Sequence, residues 1–399
     1  SQHKYLIFNM NSTWYDDTVY SEFKAKHDLK NNRKCDVLIV GGGLAGLSLL
    51  YNLKKNNVDA VLIEEKQIGS GASGRNGGFC LSGWAQDYDV LMKYLSKEEV
   101  VTLEQIAATG VQWMKKKCMS KGYEHTNLQP GVIKCFLSNN VEKVERDVFT
   151  QNQLFSQNEE FINKGKLNEY VCSDKYTCGV LRKDSFQFHP LNFMKALAQD
   201  CKNLGASIFE NCKFVCYQIN SGKIKSSIFN NNGVVNIQSE KIVFATGGYG
   251  GKEIKDLKNF WLPIKTFIGV TKPMGNELQS VLKKPLGFSD NRRAGNYYRV
   301  LPGNRLSWGR GISAVGKFTS LSLKRVISKE ISYFFPELRH VEIDYVWSGN
   351  MAYASHYMPY VGSIKIGNEE KNVFTLMGFG GHGMNTAPGS AMVLADFIL

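Results

Sequence analysis

The stretch CDVLIVGGGLAGLSLLYNLKKNNVDAVLIE, residues 35–64, decides the fold. Its first six residues include five apolar ones, which is typical of a buried parallel strand. Residues 44–55 place apolar side chains at helical spacing, and residues 60–64 form a second strand that ends in a carboxylate. Strand, glycines, helix, strand and acid follow one another within about 30 residues, as a βαβ unit requires. The stretch therefore predicts a dinucleotide site rather than a Gly-rich turn without function.

Each of the three glycines of the G-x-G-x-x-G motif has a structural role that a larger residue could not fill. Gly41 lets the strand turn sharply, Gly43 lets backbone N–H groups approach a pyrophosphate, and Gly46 lets helix and strand pack closely. The helix begins with Leu44 and Ala45, and its N-terminus carries a partial positive charge that favours a phosphate anion.

Two adjacent acids compete for the ribose of the dinucleotide. Glu64 stands 18 residues after Gly46, where a carboxylate can accept hydrogen bonds from a ribose diol. Glu65 is the competitor. Because side chains alternate along a strand, the two acids point to opposite faces and only one can serve.

A second glycine-rich segment, residues 69–78, follows directly and has five glycines in ten positions. This content predicts neither a stable helix nor a strand. A nest of backbone N–H groups here would form a second wall around a phosphate or a flavin, and the alternative is a flexible linker. The arginine and asparagine argue against a linker. The candidate contacts are Gly71, Ala72, Ser73, Arg75, Asn76, Gly77 and Gly78.

Length and composition limit the class of protein. The 399 residues predict two or three domains with ample core, and 43% apolar with 21% charged residues is ordinary for a soluble globular protein. No apolar run approaches the roughly 20 residues of a membrane helix, and the start of the chain has no signal-peptide pattern, so we expect a cytoplasmic protein.

The net charge is +13, and the basic residues are scattered through the chain, which favours a Lys-rich surface over a nucleic-acid partner. The nine cysteines form no metal-ligand pattern, so no metal site is predicted.

The rest of the chain alternates helical and strand patterns. We predict helices over 100–117 and 191–204, with His189 before Pro190 as a helix-start residue rather than a catalytic base. Residues 206–246 predict a β-meander with strands at 207–217, 223–229, 234–238 and 242–245. The last of these ends in Thr246, Gly247 and Gly248, where glycines allow close approach to a ligand. From 261 to about 340 the pattern predicts a large antiparallel sheet.

A second strand–glycine–helix site lies near the end of the chain. The apolar strand 373–377 meets a segment containing Gly380, Gly381, His382, Gly383 and Met384, and a helix is predicted from about Pro388. A helix N-terminus there would stabilise negative charge that develops on a flavin during reduction. His382 is equally well explained as a flavin contact or as a turn residue.

These motifs together resemble one family of flavoenzymes. The resemblance rests on the aromatic segment 12–15, the unit 41–64, the loop 71–78, His189-Pro190 and residues 245–248. It continues through Tyr297-Tyr298-Arg299, residues 347–349 with 358–362, and residues 378–385. The matches follow the family's order over most of the chain and are weak at about 118–185 and 255–290. The chain resembles the D-amino-acid oxidase and glycine oxidase (DAO) superfamily of FAD-dependent oxidoreductases, and most of all its γ-glutamylputrescine oxidoreductase-like members.

The resemblance implies an α/β fold of the glutathione-reductase/DAO type. A Rossmann-like FAD-binding domain would comprise 30–117, 188–260 and 341–399, after a lead-in at 1–29. An α+β substrate domain with an antiparallel sheet would comprise 118–187 and 261–340. FAD would lie along Gly41–Gly46, with Glu64 on the ribose, the backbone near Phe214 at the adenine and Gly380–Met384 at the isoalloxazine.

Two departures from relatives bear on the chemistry. Sarcosine-oxidase-like relatives bind flavin covalently through a cysteine in the segment that corresponds to 345–360, which has none here, so we expect non-covalent FAD. Those relatives also place an oxygen-activating lysine where Ser307 falls, and neither Arg305 nor Arg310 is equivalent. In addition, Asn304 stands where many relatives have aspartate. The sequence leaves oxidase and dehydrogenase both open.

The expected reaction is oxidation of the C–N bond of a small amine or amino acid. Hydride transfer to flavin N5 would give an imine and then an aldehyde or ketone, with O₂ or another acceptor reoxidising the flavin. No general base is named, since desolvation among aromatic side chains favours the neutral amine. Arg299 is the candidate clamp for a substrate carboxylate, against a structural ion pair or a surface charge. The candidate pocket residues are Tyr297, Tyr298, Arg299, Trp347, Tyr353 and His356, each of which could instead serve ordinary packing.

Three alternatives stay open from the sequence. One is an FAD dehydrogenase that passes electrons to a quinone or a partner protein. Another is a flavin-binding protein that oxidises no amine. A nicotinamide dehydrogenase is less well supported, because no second complete G-x-G-x-x-G unit exists. The substrate and the oligomeric state are not given by the sequence.

Overall fold

The computed structural model describes residues 12–21, 23–25, 29–250, 260–293, 295–313, 319–366 and 369–399. Residues 1–11, 22 and 26–28 of the predicted lead-in lie outside this range. The chain divides into two compact units. The first unit comprises Ser1–Thr18, Gln129–Gln187 and Lys265–Gly349, and the second comprises Val19–Leu128, Phe188–Ile264 and Asn350–Leu399. The domain boundaries drawn from the resemblance stay a prediction.

Helices account for much of both units. The α-helices in the described residues are α1 (Trp14–Thr18), α2 (Leu44–Lys55), α3 (Ala72–Arg75), α4 (Tyr88–Leu91), α5 (Lys97–Cys118), α6 (Val141–Phe155), α7 (Lys164–Leu167), α8 (Pro190–Asn203), α9 (Glu277–Val281), α10 (Ser320–Phe334) and α11 (Gly383–Ile398).

Strands fall into two sheets. They are β1 (Arg33–Val40), β2 (Ala60–Ile63), β3 (Phe79–Cys80), β4 (Gln129–Phe136), β5 (Glu159–Asn163), β6 (Cys178–Gln187), β7 (Ser207–Phe209), β8 (Lys213–Asn220), β9 (Lys223–Asn230), β10 (Gly233–Phe244), β11 (Trp261–Thr271), β12 (Gly287–Asp290), β13 (Tyr297–Leu301), β14 (Arg305–Ser313), β15 (Ile343–Ala354), β16 (Tyr360–Ile366) and β17 (Glu369–Met377).

The second unit is built on a sheet of order β16-β17-β10-β1-β2-β7. The strands β17, β10, β1, β2 and β7 run parallel to one another, while β16 is antiparallel to β17 and the pair β8–β9 extends from β10. The helices α2 and α8 pack on each other, and α11 packs on α2 and α5. Parallel strands place their carboxyl ends at one edge, where α/β sheets bind ligands. The glycine loops after β1 and β17 both start at that edge.

The first unit is built on a mixed sheet of order β15-β11-β14-β13-β12-β4-β6, with β5 beside β6. Most of these pairs are antiparallel, but β12 pairs with β4 in parallel. The helix α10 buries Leu323, Ile327 and Ile331 in the same core as Trp308. These two sheets confirm the predicted fold class, with a Rossmann-like sheet in the second unit and a largely antiparallel sheet in the first.

Several element predictions were wrong in detail. The segment 261–340 was predicted as strands and turns only, but it contains the 15-residue helix α10, which begins at a capping box formed by Thr319 and Ser322. The predicted strand 207–217 is divided into β7 and β8, and the predicted strands 234–238 and 242–245 are one strand, β10. The last helix was predicted to begin at about Pro388, but it begins at Gly383, directly after the glycine loop, and Pro388 lies inside it.

Candidate functional site

The loop after β1 requires glycine at two positions. Gly41 has φ +116°, and a Cβ atom there would lie 2.4 Å from the carbonyl oxygen of Ala245. A Cβ atom at Gly46 would lie 2.0 Å from the carbonyl oxygen of Gly41. The loop therefore packs closely against its own helix, as predicted from the spacing of the motif, and also against the segment after β10, which was not predicted.

The N-terminus of α2 is open to a ligand at Gly43. Gly43 is the N-cap residue and provides no side-chain cap, and a Cβ atom there would meet only the Oγ atom of Ser73, at 3.1 Å. The first N–H groups of a helix have no partner within the helix. Here the amide of Leu44 donates to Ser73 Oγ (2.9 Å). The small side chains and the helix dipole give this position the character of an anion site, which fits a pyrophosphate.

The two competing acids have different surroundings. Glu64 accepts hydrogen bonds from the backbone amides of Gly42 (2.7 Å, at Oε2) and Lys66 (2.8 Å, at Oε1). Burial raises the pKa of its carboxyl group, although both amides lower it. Glu65 is exposed, and its Oε1 lies 3.3 Å from Nζ of Lys213. Glu64 is therefore the acid that contacts the glycine loop, and a carboxylate has lone pairs for further donors.

The loop 71–78 is held by its own hydrogen bonds. Asn76 donates from Nδ2 to the carbonyl oxygens of Ala72 (3.0 Å) and Ser73 (2.8 Å), and its Oδ1 accepts from the amide of Gly78 (2.8 Å). The prediction that no helix forms here was wrong, since α3 makes one turn after its N-cap residue, Gly71. That turn ends with the half-buried Arg75. Gly77, which is buried, completes the loop.

The segment after β10 packs on the end of β17. The backbone amide and Oγ1 of Thr246 each lie 3.2 Å from Sδ of Met377. Gly247 has φ +56°, and a Cβ atom at Gly248 would lie 3.0 Å from the carbonyl oxygen of Asn350. Phe214, from β8, is buried in the core of the same unit.

The second glycine loop connects β17 to α11. Gly380 has φ +58°, and a Cβ atom there would lie 2.7 Å from the ring of Tyr353, whose hydroxyl is 3.0 Å from the corresponding position of Gly381. The carbonyl oxygen of His382 accepts from Oγ1 of Thr386 (2.6 Å). Tyr353 therefore covers this loop, and each residue 380–383 lies at or just before the start of α11.

One hydrogen bond brings two of the predicted segments together. Asn76 donates from Nδ2 to Sδ of Met384 (3.6 Å), so the loop 71–78 lies beside the first turn of α11. The two segments are more than 300 residues apart in sequence and were both predicted as flavin contacts. This proximity supports a common ligand.

The position of α11 depends on glycines that the sequence analysis missed. A Cβ atom at Gly110 of α5 would lie 1.8 Å from the carbonyl oxygen of Asn385, and one at Gly389 would lie 2.3 Å from the carbonyl oxygen of Ile106. Asn385 also donates from Nδ2 to the carbonyl oxygen of Gly83 (2.9 Å). Gly110 lies in the middle of the helical pattern of α5, and a glycine at such a position could have indicated close packing of another helix. The backbones of α5 and α11 are therefore in contact where the helices cross, and this contact sets the position of the first turn of α11.

Among the candidate pocket residues in the first unit, Tyr298 lies in the core. It is fully buried, donates a hydrogen bond from its hydroxyl to the hydroxyl of Tyr176 (3.0 Å), and stacks between Phe288 and Trp308 at 5.5 and 4.4 Å between ring centroids. Tyr297 is half-buried, and its ring lies against the backbone of Gly309. These contacts support a packing role for Tyr298.

Arg299 contacts a cluster of aromatic side chains in the first unit. Arg299 is 5% exposed and donates from Nη2 to the hydroxyl of Tyr15 (3.2 Å). The ring of Tyr15 makes edge-to-face contacts with Trp14 and Trp347, at 5.7 and 5.6 Å between centroids. We call Trp14, Tyr15, Arg299 and Trp347 the arginine cluster. Residues 12–15 carry part of the family resemblance, but no pattern in the sequence connects them with Arg299.

The remaining candidates lie elsewhere. His356 belongs to the second unit, is exposed, and accepts at Nδ1 from the amide of Met358 (3.2 Å). His189 is the N-cap residue of α8 and accepts at Nδ1 from the amide of Asn192 (3.1 Å), which confirms its prediction as a helix-start residue.

The cations near Ser307 are engaged in ion pairs. Ser307 is 3% exposed on β14. Arg305 donates to Asp344 (2.7 Å), and Arg310 donates to Glu330 (2.6 Å). Within the residues that the structure describes, no cluster of three or more histidine, cysteine or acidic side chains could bind a metal ion. No helix in the same ranges is long and apolar enough to cross a membrane.

Comparison with known proteins agrees with this geometry. The family model for DAO, described as FAD dependent oxidoreductase, matches residues 36–397. The chain is 24% identical to gamma-glutamylputrescine oxidoreductase of Escherichia coli (strain K12), over 93% of this chain and 85% of that protein.

Solved structures share the fold. Glycine oxidase from Geobacillus kaustophilus superposes with a TM-score of 0.71 at 19% identity, covering 92% of this chain and 95% of that one. L-proline dehydrogenase from P. horikoshii superposes with a TM-score of 0.73 at 20% identity, covering 92% and 94%. The protein is therefore an enzyme of the flavin-dependent oxidoreductase class. It belongs to the DAO family, and its cofactor is FAD.

Proposed function

We propose that this protein oxidises the C–N bond of a small amine that carries a carboxylate. The observation that carries the proposal is the arginine cluster, in which a buried guanidinium contacts the hydroxyl of Tyr15, and the ring of Tyr15 packs against two tryptophans in the first unit. The named activity of the E. coli relative, on γ-glutamylputrescine, points to the same substrate class.

The second unit provides the groups that would hold FAD. The N-terminus of α2 with Gly41, Gly43 and Gly46 would bind the pyrophosphate, and Glu64 would accept from the ribose. The segment Gly380–Met384 would contact the isoalloxazine, with the loop 71–78 beside it. FAD, when bound, supplies the hydride acceptor at N5. Since residues 345–360 contain no cysteine, we expect the flavin to be bound without a covalent bond.

The protein must present the amine in its neutral form. An alkyl ammonium group has a pKa of about 10 in water, and only the neutral amine can release hydride from its α-carbon. Aromatic surroundings such as Trp14 and Trp347 would disfavour the charged form by desolvation. No titratable side chain is needed as a base for this step, and none is assigned.

Arg299 would bind the substrate carboxylate. Its planar guanidinium can donate two parallel hydrogen bonds to a carboxylate, which fixes orientation as well as position. The Tyr15 hydroxyl is neutral, so this contact does not cancel the positive charge. Arg299→Met should raise KM for a carboxylated amine at least tenfold, because a charge-assisted pair is worth about 1.5–3 kcal/mol. Measured by steady-state kinetics, an unchanged KM would remove Arg299 from the site.

The test of the reaction is anaerobic titration of the purified yellow protein with γ-glutamylputrescine, putrescine, sarcosine, glycine and D-alanine. Loss of the flavin absorbance near ~450 nm with one of these amines supports amine oxidation and identifies the substrate class. A protein that binds FAD and is bleached by none of them would contradict the proposal. Denaturation followed by filtration should release the flavin, as expected for non-covalent binding.

The electron acceptor is a second proposal. The resemblance to sarcosine-oxidase-like relatives implies that Ser307 falls where they place an oxygen-activating lysine, and both neighbouring arginines are paired with carboxylates. These contacts favour a quinone or a protein as acceptor over O₂. Reoxidation of the bleached protein by a soluble quinone faster than by air would support this, and rapid reoxidation by air would contradict it.

A further inference from the structure

The hydroxyl of Tyr15 contacts a residue that lies 284 positions away in sequence. It accepts a hydrogen bond from Nη2 of Arg299 at 3.2 Å, and both side chains are buried. Arg299 is anchored on the central strand β13, while Tyr15 lies on the five-residue helix α1. The aromatic segment at the start of the chain therefore takes part in the surroundings of the guanidinium.

The Tyr15 side chain is held from two sides. Trp14 and Trp347 contact its ring edge to face, and Trp347 is itself 1% exposed on β15. Edge-to-face contacts of this kind are favourable beyond the buried area of the rings, and they leave the phenol little freedom to rotate away.

The helix α1 is fixed by hydrogen bonds at both ends. Thr13 and Asp16 exchange hydrogen bonds: the amide of Thr13 donates to Oδ2 of Asp16 (2.7 Å), and the amide of Asp16 donates to Oγ1 of Thr13 (3.1 Å). Tyr345 donates from its hydroxyl to Oδ2 of Asp17 (2.7 Å). These bonds set the position of the Tyr15 hydroxyl against the sheet.

We infer that Tyr15 is a positioning residue, which holds the guanidinium of Arg299 in the orientation that binds the carboxylate of the substrate. The inference rests on the proposed function, in which Arg299 is the clamp. An arginine side chain has several rotatable bonds, and their immobilisation on binding costs conformational entropy. A fixed acceptor on Nη2 removes part of this cost before the substrate arrives.

The test compares Tyr15→Phe with a matched control, Tyr176→Phe. The control also removes one buried hydroxyl of the first unit, the one bonded to Tyr298 at 3.0 Å, and leaves the arginine cluster unchanged. The full-length holoprotein is used for each variant. Two properties are measured: KM and kcat for the amine that bleaches the flavin, and the same constants for the carboxamide of that amine.

Tyr15→Phe should raise KM for the carboxylate roughly threefold, less than Arg299→Met does because the guanidinium is still present, and should change kcat less than about twofold. KM for the carboxamide should change little, and Tyr176→Phe should behave as the wild type on both compounds. The inference is overturned if Tyr15→Phe leaves the carboxylate KM unchanged. It is also overturned if both variants, or both compounds, are affected equally, because a general loosening of the unit would then explain the result.

A second measurement separates this inference from the proposed function. Simple carboxylates such as acetate, propionate and glutarate are titrated into the oxidised holoprotein, and binding is followed by the change in the flavin spectrum. If no amine of the panel bleaches the flavin but Tyr15→Phe weakens carboxylate binding and Tyr176→Phe does not, amine oxidation fails while the role of Tyr15 stands. A wild-type protein that binds none of the carboxylates would overturn the role of Tyr15.

Discussion

Replacement of Gly110 by alanine tests how the second unit positions its cofactor-binding segment. The Cβ atom of an alanine at position 110 would lie 1.8 Å from the carbonyl oxygen of Asn385 and 2.8 Å from its carbonyl carbon. These are backbone atoms of α11, so no side-chain rotation relieves the overlap. An ordinary contact of 3.4 Å would require a separation of the two helices by about 1.6 Å (3.4 − 1.8).

Two effects of opposite sign compete in Gly110→Ala. Alanine in the interior of a helix is favoured over glycine by about 1 kcal/mol, which would stabilise α5 in isolation. Overpacking of a closely packed contact costs typically about 1–3 kcal/mol, and this contact is between backbones. The shift needed is large, so we expect the second effect to dominate, with a net loss of about 1–2 kcal/mol of unfolding free energy.

The functional consequence follows from the position of Asn385. It lies in the first turn of α11, directly after Gly383 and Met384, which are proposed to contact the flavin. Separation of the helices moves that turn, so affinity for FAD should fall as well as stability. The exposed neighbour Thr109 provides the matched control, because Thr109→Ala raises the helix propensity of α5 without approaching α11.

The assays are thermal unfolding followed by circular dichroism and FAD titration of the apoprotein followed by flavin fluorescence. Gly110→Ala should lower Tm by about 2–4 °C per kcal/mol lost and weaken FAD binding, whereas Thr109→Ala should leave both at or slightly above the wild-type values. A Gly110→Ala protein that is as stable as the wild type and binds FAD equally well would refute the helix-crossing argument.

Two further substitutions test the first glycine loop. Ser73→Ala removes the acceptor of the Leu44 amide (2.9 Å) and should lower the free energy of unfolding by about 1 kcal/mol. The loss should appear as a lower Tm and a higher Kd for FAD, and unchanged values of both would contradict the prediction. Burial raises the pKa of Glu64, so its contribution to stability is greatest below the unfolded value of about 4.3 and declines as pH rises through the folded value. Glu64→Gln should abolish this decline in a series of Tm measurements against pH, while one of the hydrogen bonds from Gly42 or Lys66 is lost at all pH values. An identical pH profile in the wild type and the variant would refute this assignment.

Local patterns in the sequence were sufficient for the first glycine loop. The bounds of α2, Leu44–Lys55, are those predicted, and β1 and β2 differ from the predictions by a few residues. This succeeds because the glycines, the apolar strand and the amphipathic helix all act within about 30 residues. Contacts between neighbours in sequence need no knowledge of the rest of the fold.

The helix α10 was missed although its signal was present. Leu323, Ile327, Ile331 and Phe334 recur at helical spacing, and all four are buried in one core. Surrounding strand patterns outweighed this periodicity in the prediction. The single-turn helix α3 was missed for another reason: hydrogen bonds from Asn76 and the packing of Gly74 against the carbonyl oxygen of Gly69 hold a turn that the glycine content disfavours.

The role of Arg299 shows what a sequence alone cannot supply. An arginine beside two tyrosines is equally consistent with a clamp for a carboxylate and with a structural contact, because both need a buried guanidinium. What distinguishes them is the partner, and Tyr15 comes from the other end of the chain, in a short helix whose place is set by Trp347 and Tyr345. A neutral phenol orients a guanidinium without neutralising it, whereas a carboxylate partner would do both. The contact with Tyr15 therefore orients the guanidinium without removing its charge, which is why the comparison of acid and amide substrates is the decisive experiment.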